Sequence, residues 1–404
     1  MINNFFINKN FFLLWTGKIV SQVGDKFYGI ALAWWILQKT HSPATMGFFM
    51  AASTLPGLLL GPFAGTLIDR WNRKHIIIIS DIVRGLLVVV TALLSTWDVL
   101  ALWHIFLASI IISLASAFFD PTAQAIIPQL VTKDQLSKAN ALGEMVTAFS
   151  TIIGPIFGAM SVSLLGFTWV FLMNGLSYLI SAFFECFITF SKTHDSHIRQ
   201  NSLWFEMKEG VKFLFHRPNL ILIISIIGIT HLFVGCLMVV LPFLAKELGD
   251  NSVQNLGNLE MMLGVGMFLG ATYIHRKIKN ITQEKNLFYI ILLMGVLFAS
   301  IGVARAMVGL SLPPYMLLVF LIGTAIANAS IYWRSLLQLH TPDTMTGRIF
   351  SISSMVGNVS LPLSYGLFGL LLNYLSISLL MLISGACLLL VGTTLMGSYK
   401  TAAQ

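Results

Sequence analysis

Asp25, Glu144, His231 and Glu260 stand inside long apolar stretches of a 404-residue chain. A charge at the centre of a hydrocarbon layer costs about 2.5–3.5 kcal/mol unless it is paired or wetted. Burial favours the neutral form of a carboxylate, so such a group can take a proton from one side and release it when its surroundings open to the other. Asp25 lies about 14 residues into its run, roughly 21 Å along a helix, and is the first candidate for proton coupling. Its alternative role is an ion pair with Lys18 or with the adjacent Lys26, although neighbours at i and i+1 point to different helix faces. Glu144 and Glu260 each fall about six residues from the start of their runs, where they can titrate or hold a cationic substrate. Alternatively, Glu144 pairs with Arg84 and Glu260 sits high enough to be wetted. His231 is either a proton shuttle or a hydrogen-bonded packing residue. Asp81 and Arg84, three residues apart on one helix face, are expected to form an intrahelical charge brace. Glu185, near the end of its run, is expected to snorkel to the membrane interface.

Other chemistries lack their residues. No GxxxxGK[ST] phosphate loop, HExxH helix or nucleophile elbow occurs, so no cofactor or metal is called for and the chain is not expected to be an enzyme. Cys186, Cys236 and Cys387 show no CxxC spacing and are expected to be small buried thiols.

The elements that must carry these residues follow from composition. Hydrophobic residues make up 56% of the chain and charged residues 10%, against about 45–50% and about 25% in soluble domains. That excludes an ordinary soluble enzyme. A spanning helix needs about 20 apolar residues, and twelve such runs can be marked between residues 11 and 397, the fourth ending near residue 119. The expected fold is an all-α membrane protein with twelve transmembrane helices in two pseudo-symmetric six-helix bundles: 1–190, a linker over 191–218, and 219–404. Within the linker, Leu203, Trp204, Met207, Val211 and Leu214 recur at helical spacing among charged residues, which predicts an amphipathic helix on the membrane surface.

Net charge is +8, but placing the N-terminus inside collects most Lys and Arg in the cytoplasmic segments. That accounts for the basic pI without nucleic acid, and predicts two cytoplasmic termini. Trp97, Trp103 and Trp169 are expected as interfacial anchors. Tyr28, Trp34, Trp35 and Tyr365 are among the aromatics that could line an amphiphile-sized cavity.

Two short segments then carry a resemblance. Residues 65–74, GTLIDRWNRK, resemble the loop signature between helices two and three of the major facilitator superfamily, with Asn72 where that signature usually has Gly. The resemblance implies that Gly65, Asp69, Arg70, Arg73 and Lys74 form a cytoplasmic gate. GPIFG, with Gly154, Pro155 and Gly158, resembles the superfamily's antiporter motif, and implies a place where a helix bends. The segments at 10–27, 80–86, 118–131 and 341–351 together resemble the macrolide-efflux and enterobactin-exporter branch. The implied function is proton-coupled export of a small amphiphilic molecule, a drug or siderophore, across a bacterial inner membrane by a monomer. Its partners would be that substrate, the proton gradient and the lipid bilayer. Import or lipid translocation on the same scaffold, and a sensor without flux, remain the alternatives.

Overall fold

Helices of 20 or more residues, each about 30 Å or longer, make up almost the whole of the computed structural model, which describes residues 7–68, 71–189, 203–249, 251–277, 284–307, 311–342 and 345–402. The described residues form thirteen α-helices and no strand. In chain order they are α1 (Lys9–Thr40), α2 (Pro43–Ile68), α3 (Arg73–Thr96), α4 (Leu102–Leu130), α5 (Leu136–Leu165), α6 (Phe167–Cys186) and α7 (Leu203–Phe215). There follow α8 (Pro218–Glu247), α9 (Ser252–Lys277), α10 (Glu284–Met307), α11 (Leu312–His340), α12 (Thr346–Leu371) and α13 (Ile377–Ala402). All but α7 are long enough to span a bilayer, and ten meet the apolar criterion as well. The two that fall short are α1, with Lys18, Asp25 and Lys26, and α9, with Gln254, Asn255, Asn258 and Glu260. Their low hydropathy comes from those polar residues.

Local chemistry sets the helix ends. Asn72 occupies the usual glycine position because it caps α3, its Oδ1 accepting from the Lys74 amide at 2.9 Å. Gly166, at φ 80°, turns α5 into α6 in the left-handed region that favours glycine. The fourth run is longer than the sequence suggests: α4 continues through Pro121 and Pro128 to Leu130, so Asp120 is helical rather than in a loop. Side chains add to the carbonyls of this stretch, with Thr122 donating to Phe118 at 2.6 Å and Asn8 to Leu130, at the helix end, at 2.5 Å.

The chain divides into two compact units. The first comprises Met1–His41 and Phe49–His197, the second Ser42–Phe48 and Ile198–Gln404. In the first, α1 packs on α5 and α6, and α3 on α6 and α4. In the second, α8 packs on α12 and α10 on α13 and α11, so the α1–α5, α3–α6 and α3–α4 pairings return six spanning helices later. The extensive α1–α6 packing has only a slight counterpart in α8 and α13. Glycines fix the register of this repeat. A Cβ on Gly85 would fall 2.9 Å from Leu179 Cγ and 3.0 Å from the Gly175 carbonyl oxygen. On Gly295 it would fall 2.9 Å from Leu389 Cγ and 3.0 Å from the Gly385 carbonyl oxygen. Gly295, Gly385 and Leu389 stand at one common offset from Gly85, Gly175 and Leu179.

Within the second unit, α7 docks on α8 and α12. Gly210 lets it approach Ile352, and Arg348 closes a 2.7 Å ion pair to Glu209. Trp97, Trp103 and Trp169 are exposed at one end of the first unit, the end where α3 stops and α4 and α6 start. Trp34 and Trp35 are buried. Of the cysteines only Cys236 is buried; Cys186 and Cys387 are exposed, because they lie on outward helix faces.

Candidate functional site

Three helices of the first unit are drawn together by small residues. Gly17 of α1 lies against Ser181 of α6, Gly24 against Ser177 and Asn174, and Gly85 of α3 against Gly175. This close approach brings a polar stripe of α6, Asn174, Ser177, Tyr178, Ser181 and Glu185, against α1 and α3. The residues recur at three- and four-residue steps, so they share one face.

Asp25 sits at the midpoint of α1, half-buried, and its carboxylate accepts a hydrogen bond from the Tyr178 hydroxyl. Arg84, 4% exposed, has its guanidinium between two rings, 4.1 Å from the Phe119 centroid and 4.6 Å from that of Tyr178. A desolvated cation–π contact of this kind contributes about 2 kcal/mol. The same guanidinium donates to Asp81 Oδ1, three residues earlier on α3. Its field also acts on Asp25, Asp120 and Glu185, so four carboxyl groups share one arginine. Lys18 acts on Asp120 as well.

The sequence-derived candidates separate on this geometry. Asp25, Asp81 and Arg84 come together, in a cluster that also holds Tyr178, Asp120 and Glu185. Glu185 is 1% exposed and does not snorkel, because α6 turns it inward with Tyr178 and Ser181 rather than toward lipid. Lys26 is exposed, and the hydrogen-bond partner of Asp25 is a phenol rather than a lysine. Glu144 is exposed on α5 and stands outside the set of carboxylates that act on Arg84. In the second unit, Glu260 is half-buried on α9, within electrostatic reach of the Tyr365 hydroxyl on α12. His231 donates from Nδ1 to the Ile227 carbonyl at 2.8 Å, and its ring packs on Gly357, where a Cβ would lie 3.2 Å away.

The two motif segments are placed in part. Asp69 and Arg70 lie outside the described residues, and Gly65 is in the last turn of α2, its surroundings likewise outside them. Arg73 donates to the Ala125 carbonyl of α4 at 3.2 Å, and Lys74 to the Cys186 carbonyl that ends α6 at 2.6 Å. Both cations thus serve helix carbonyls within the first unit. In GPIFG, Gly154 lies against Lys26, and a Cβ on Gly158 would come within 2.9 Å of Phe27 Cα. The glycines seat α5 on α1, and α5 remains helical through Pro155.

The repeat supplies an internal comparison. At the glycine-defined offset, the counterparts of Asp81, Arg84 and Tyr178 are Ile291, Met294 and Leu388, all buried and apolar. The α3–α6 packing is therefore achieved in α10–α13 without any charge. Burying ions where hydrophobic residues suffice is costly, so the cluster is not what holds this architecture together.

The comparisons with known proteins agree with this architecture. The family model described as Major Facilitator Superfamily matches residues 14–365. The chain is 22% identical over 389 residues to macrolide efflux protein A of Streptococcus pyogenes, covering 94% of each. It is 25% identical over 373 residues to the putative bacilysin exporter BacE of Bacillus subtilis (strain 168), covering 90% of this chain and 88% of that one. Among solved structures it is similar to a bacterial homologue of the iron transporter ferroportin in an inward-facing state, with TM-score 0.72, 15% identity and coverage of 96% and 98%. A variant of the nucleoside transporter NupG matches with TM-score 0.74, 14% identity and coverage of 95% and 99%.

Proposed function

Because the chain belongs to the Major Facilitator Superfamily, we propose that it is a secondary transporter that exports a small amphiphilic organic molecule in exchange for protons. The observation that carries this reading is the Asp25–Tyr178–Arg84 cluster: a carboxylate at mid-helix, held by a phenol and facing a buried guanidinium. A fixed cation and a hydrogen-bond donor let Asp25 exist charged in apolar surroundings, and half-burial leaves it a route to water. Both forms are then within reach, as a carrier of protons requires. That the second unit packs equally well with apolar residues at the matching positions supports a role in transport over one in folding.

Export is supported by the relatives, which are named for macrolide efflux and bacilysin export. The substrate class we propose is correspondingly amphiphilic, a drug or siderophore. Orientation follows the charges: in the first unit Arg73 and Lys74 fall at a helix end opposite to that at Asp98, and in the second Lys208, Lys212, Lys285 and Arg348 fall at or beside helix ends opposite to that at Arg305. The positive-inside rule makes the basic end cytoplasmic, with both termini there, in a bacterial inner membrane. Glu260, beside Tyr365, is the proposed contact for a cationic or hydroxyl-bearing part of the substrate.

The test is energised uptake into inverted membrane vesicles containing the chain, with labelled macrolides and siderophores. Accumulation of one class, collapsed by a protonophore, is expected. Accumulation only in right-side-out vesicles would make the protein an importer.

A further inference from the structure

The proton-coupling reading uses Asp25 and leaves the far end of the same cluster unexplained. Glu185, the penultimate residue of α6, is 1% exposed, and its Oε2 has no hydrogen-bond partner. Asp81, fully buried, spends Oδ1 on Arg84 and leaves Oδ2 without a partner. Asp81 acts electrostatically on Glu185, and Arg84 acts on both. Two buried carboxyl oxygens without a geometric hydrogen-bond partner therefore fall in one cluster, the Ser181 hydroxyl being the one further side-chain donor that acts on Asp81. Each is a group that buried chains normally satisfy.

Charge balance closes the case against full ionisation. Asp25, Asp81, Asp120 and Glu185 would carry four negative charges against Arg84, with Lys18 acting on Asp120 and the exposed Lys26 on Asp25, and Arg84 alone for Asp81 and Glu185. An uncompensated buried carboxylate neutralises itself rather than remain charged. Asp25 already has Tyr178 as a donor, and Asp81 has Arg84; Glu185 has the weakest claim on a counter-charge. The internal comparison excludes a packing requirement at Asp81, since α10 places Ile291 there.

We propose that Glu185 and Asp81 share one exchangeable proton, forming a second proton site at the basic end of the first unit. The step is binding alone: an O–H bond forms on Glu185 with a proton from water at that end, and breaks when the proton returns. The groups that act on it are Asp81 and Arg84 from α3 at Glu185, and Arg84, the Ser181 hydroxyl of α6 and Asp25 of α1 at Asp81; Asp120 of α4 reaches it only through Arg84, which it also acts on. Lys74 donates to the carbonyl of Cys186, next in sequence to Glu185, at 2.6 Å. Arg84 connects this site with Asp25. With the proton on the Glu185–Asp81 pair, the guanidinium is free to serve Asp25 as a carboxylate. With the proton on Asp25, it is held by the pair. A proton thus has two stations along one seam of α1, α3 and α6, and the coupling between them, though not the second station, rests on the Asp25 reading.

The experiment is infrared difference spectroscopy of the full chain in lipid nanodiscs, with pH as the perturbation. The expected result is a carbonyl band of a buried protonated carboxylic acid that is lost in Glu185→Gln, persists in Asp25→Asn, and titrates at a different pH in Asp81→Asn. Helicity and size-exclusion profile identify folded samples, and Asp81→Asn keeps the test alive if Glu185→Gln does not fold. A band unchanged by Glu185→Gln in folded protein, or a titration indifferent to Asp81→Asn, overturns the proposal. Loss of the band in Asp25→Asn would assign it to Asp25 and overturn it too. A surviving Glu185 band in a protein whose transport ignores Asp25→Asn would leave this site standing and remove the coupling role of Asp25.

Discussion

The Tyr178 hydroxyl on α6 donates to the Asp25 carboxylate on α1, while the face of the same ring covers the Arg84 guanidinium at 4.6 Å. One side chain therefore links the proposed proton carrier to the cation that balances it. Tyr178→Phe keeps the ring and removes the donor that favours charged Asp25. The pH at which substrate-driven proton exchange falls should move upward, since the protonated form persists to higher pH, with a stability loss of about 1 kcal/mol. A pH profile of exchange in proteoliposomes, read beside thermal unfolding, checks both parts.

Arg84→Met should be among the more destabilising substitutions in the chain. It leaves the fully buried Asp81 without its partner and removes two cation–π contacts. Breaking one side of a buried pair costs about 3–5 kcal/mol. Adding Asp81→Leu should recover much of that loss, because α10 shows the position accepting an apolar residue. Denaturation in detergent of the single and double variants decides it; a double variant no more stable than the single would contradict the internal comparison.

Gly85→Val and Gly295→Val should damage the protein alike. Each inserts atoms where a Cβ already meets a leucine and a glycine carbonyl within about 3 Å, an overpacking cost of about 1–3 kcal/mol. Gly366→Ala, with nothing within 4 Å of its Cβ, is the control and should be neutral or slightly stabilising. Folded yield by fluorescence-detected size exclusion gives the comparison.

At the end of the second unit opposite to α7, Arg305 grips Glu247 through two hydrogen bonds of 2.6 and 2.7 Å and reaches Ser378 at 3.1 Å, tying α10 to α8 and α13. Lysine cannot reproduce this fork. Arg305→Lys should lower stability by about 1 kcal/mol, the partial exposure of both groups limiting the effect. Transport by the folded fraction should be unchanged.

Much of this was legible in the residues. Twelve apolar runs and the distribution of Lys and Arg are one-dimensional signals, and they gave the spanning helices directly. Asp25 was visible because an isolated carboxylate in an apolar run has no local excuse. Glu185 was misplaced since proximity to a helix end says nothing about which face a side chain takes; the stripe from Asn174 through Tyr178 and Ser181 to Glu185 carried that information at helical spacing. Asp120 was hidden by Pro121, which marks a break in most helices but here sits within a continuous one. The Tyr178 contact joins residues far apart in the chain, and no local pattern specifies it. Gly154 and Gly158 showed their small size in the sequence but not the α1 surface that requires it.

Asp25 is the proposed carrier of the proton exchanged for substrate. The most direct measurement of that role is proton movement, followed by a trapped pH indicator in proteoliposomes, on adding a macrolide or siderophore to the wild-type chain and to Asp25→Asn. A substrate-triggered proton flux is expected in the wild type and is expected to be absent in a folded, substrate-binding Asp25→Asn. A flux of equal size in that variant would contradict that role.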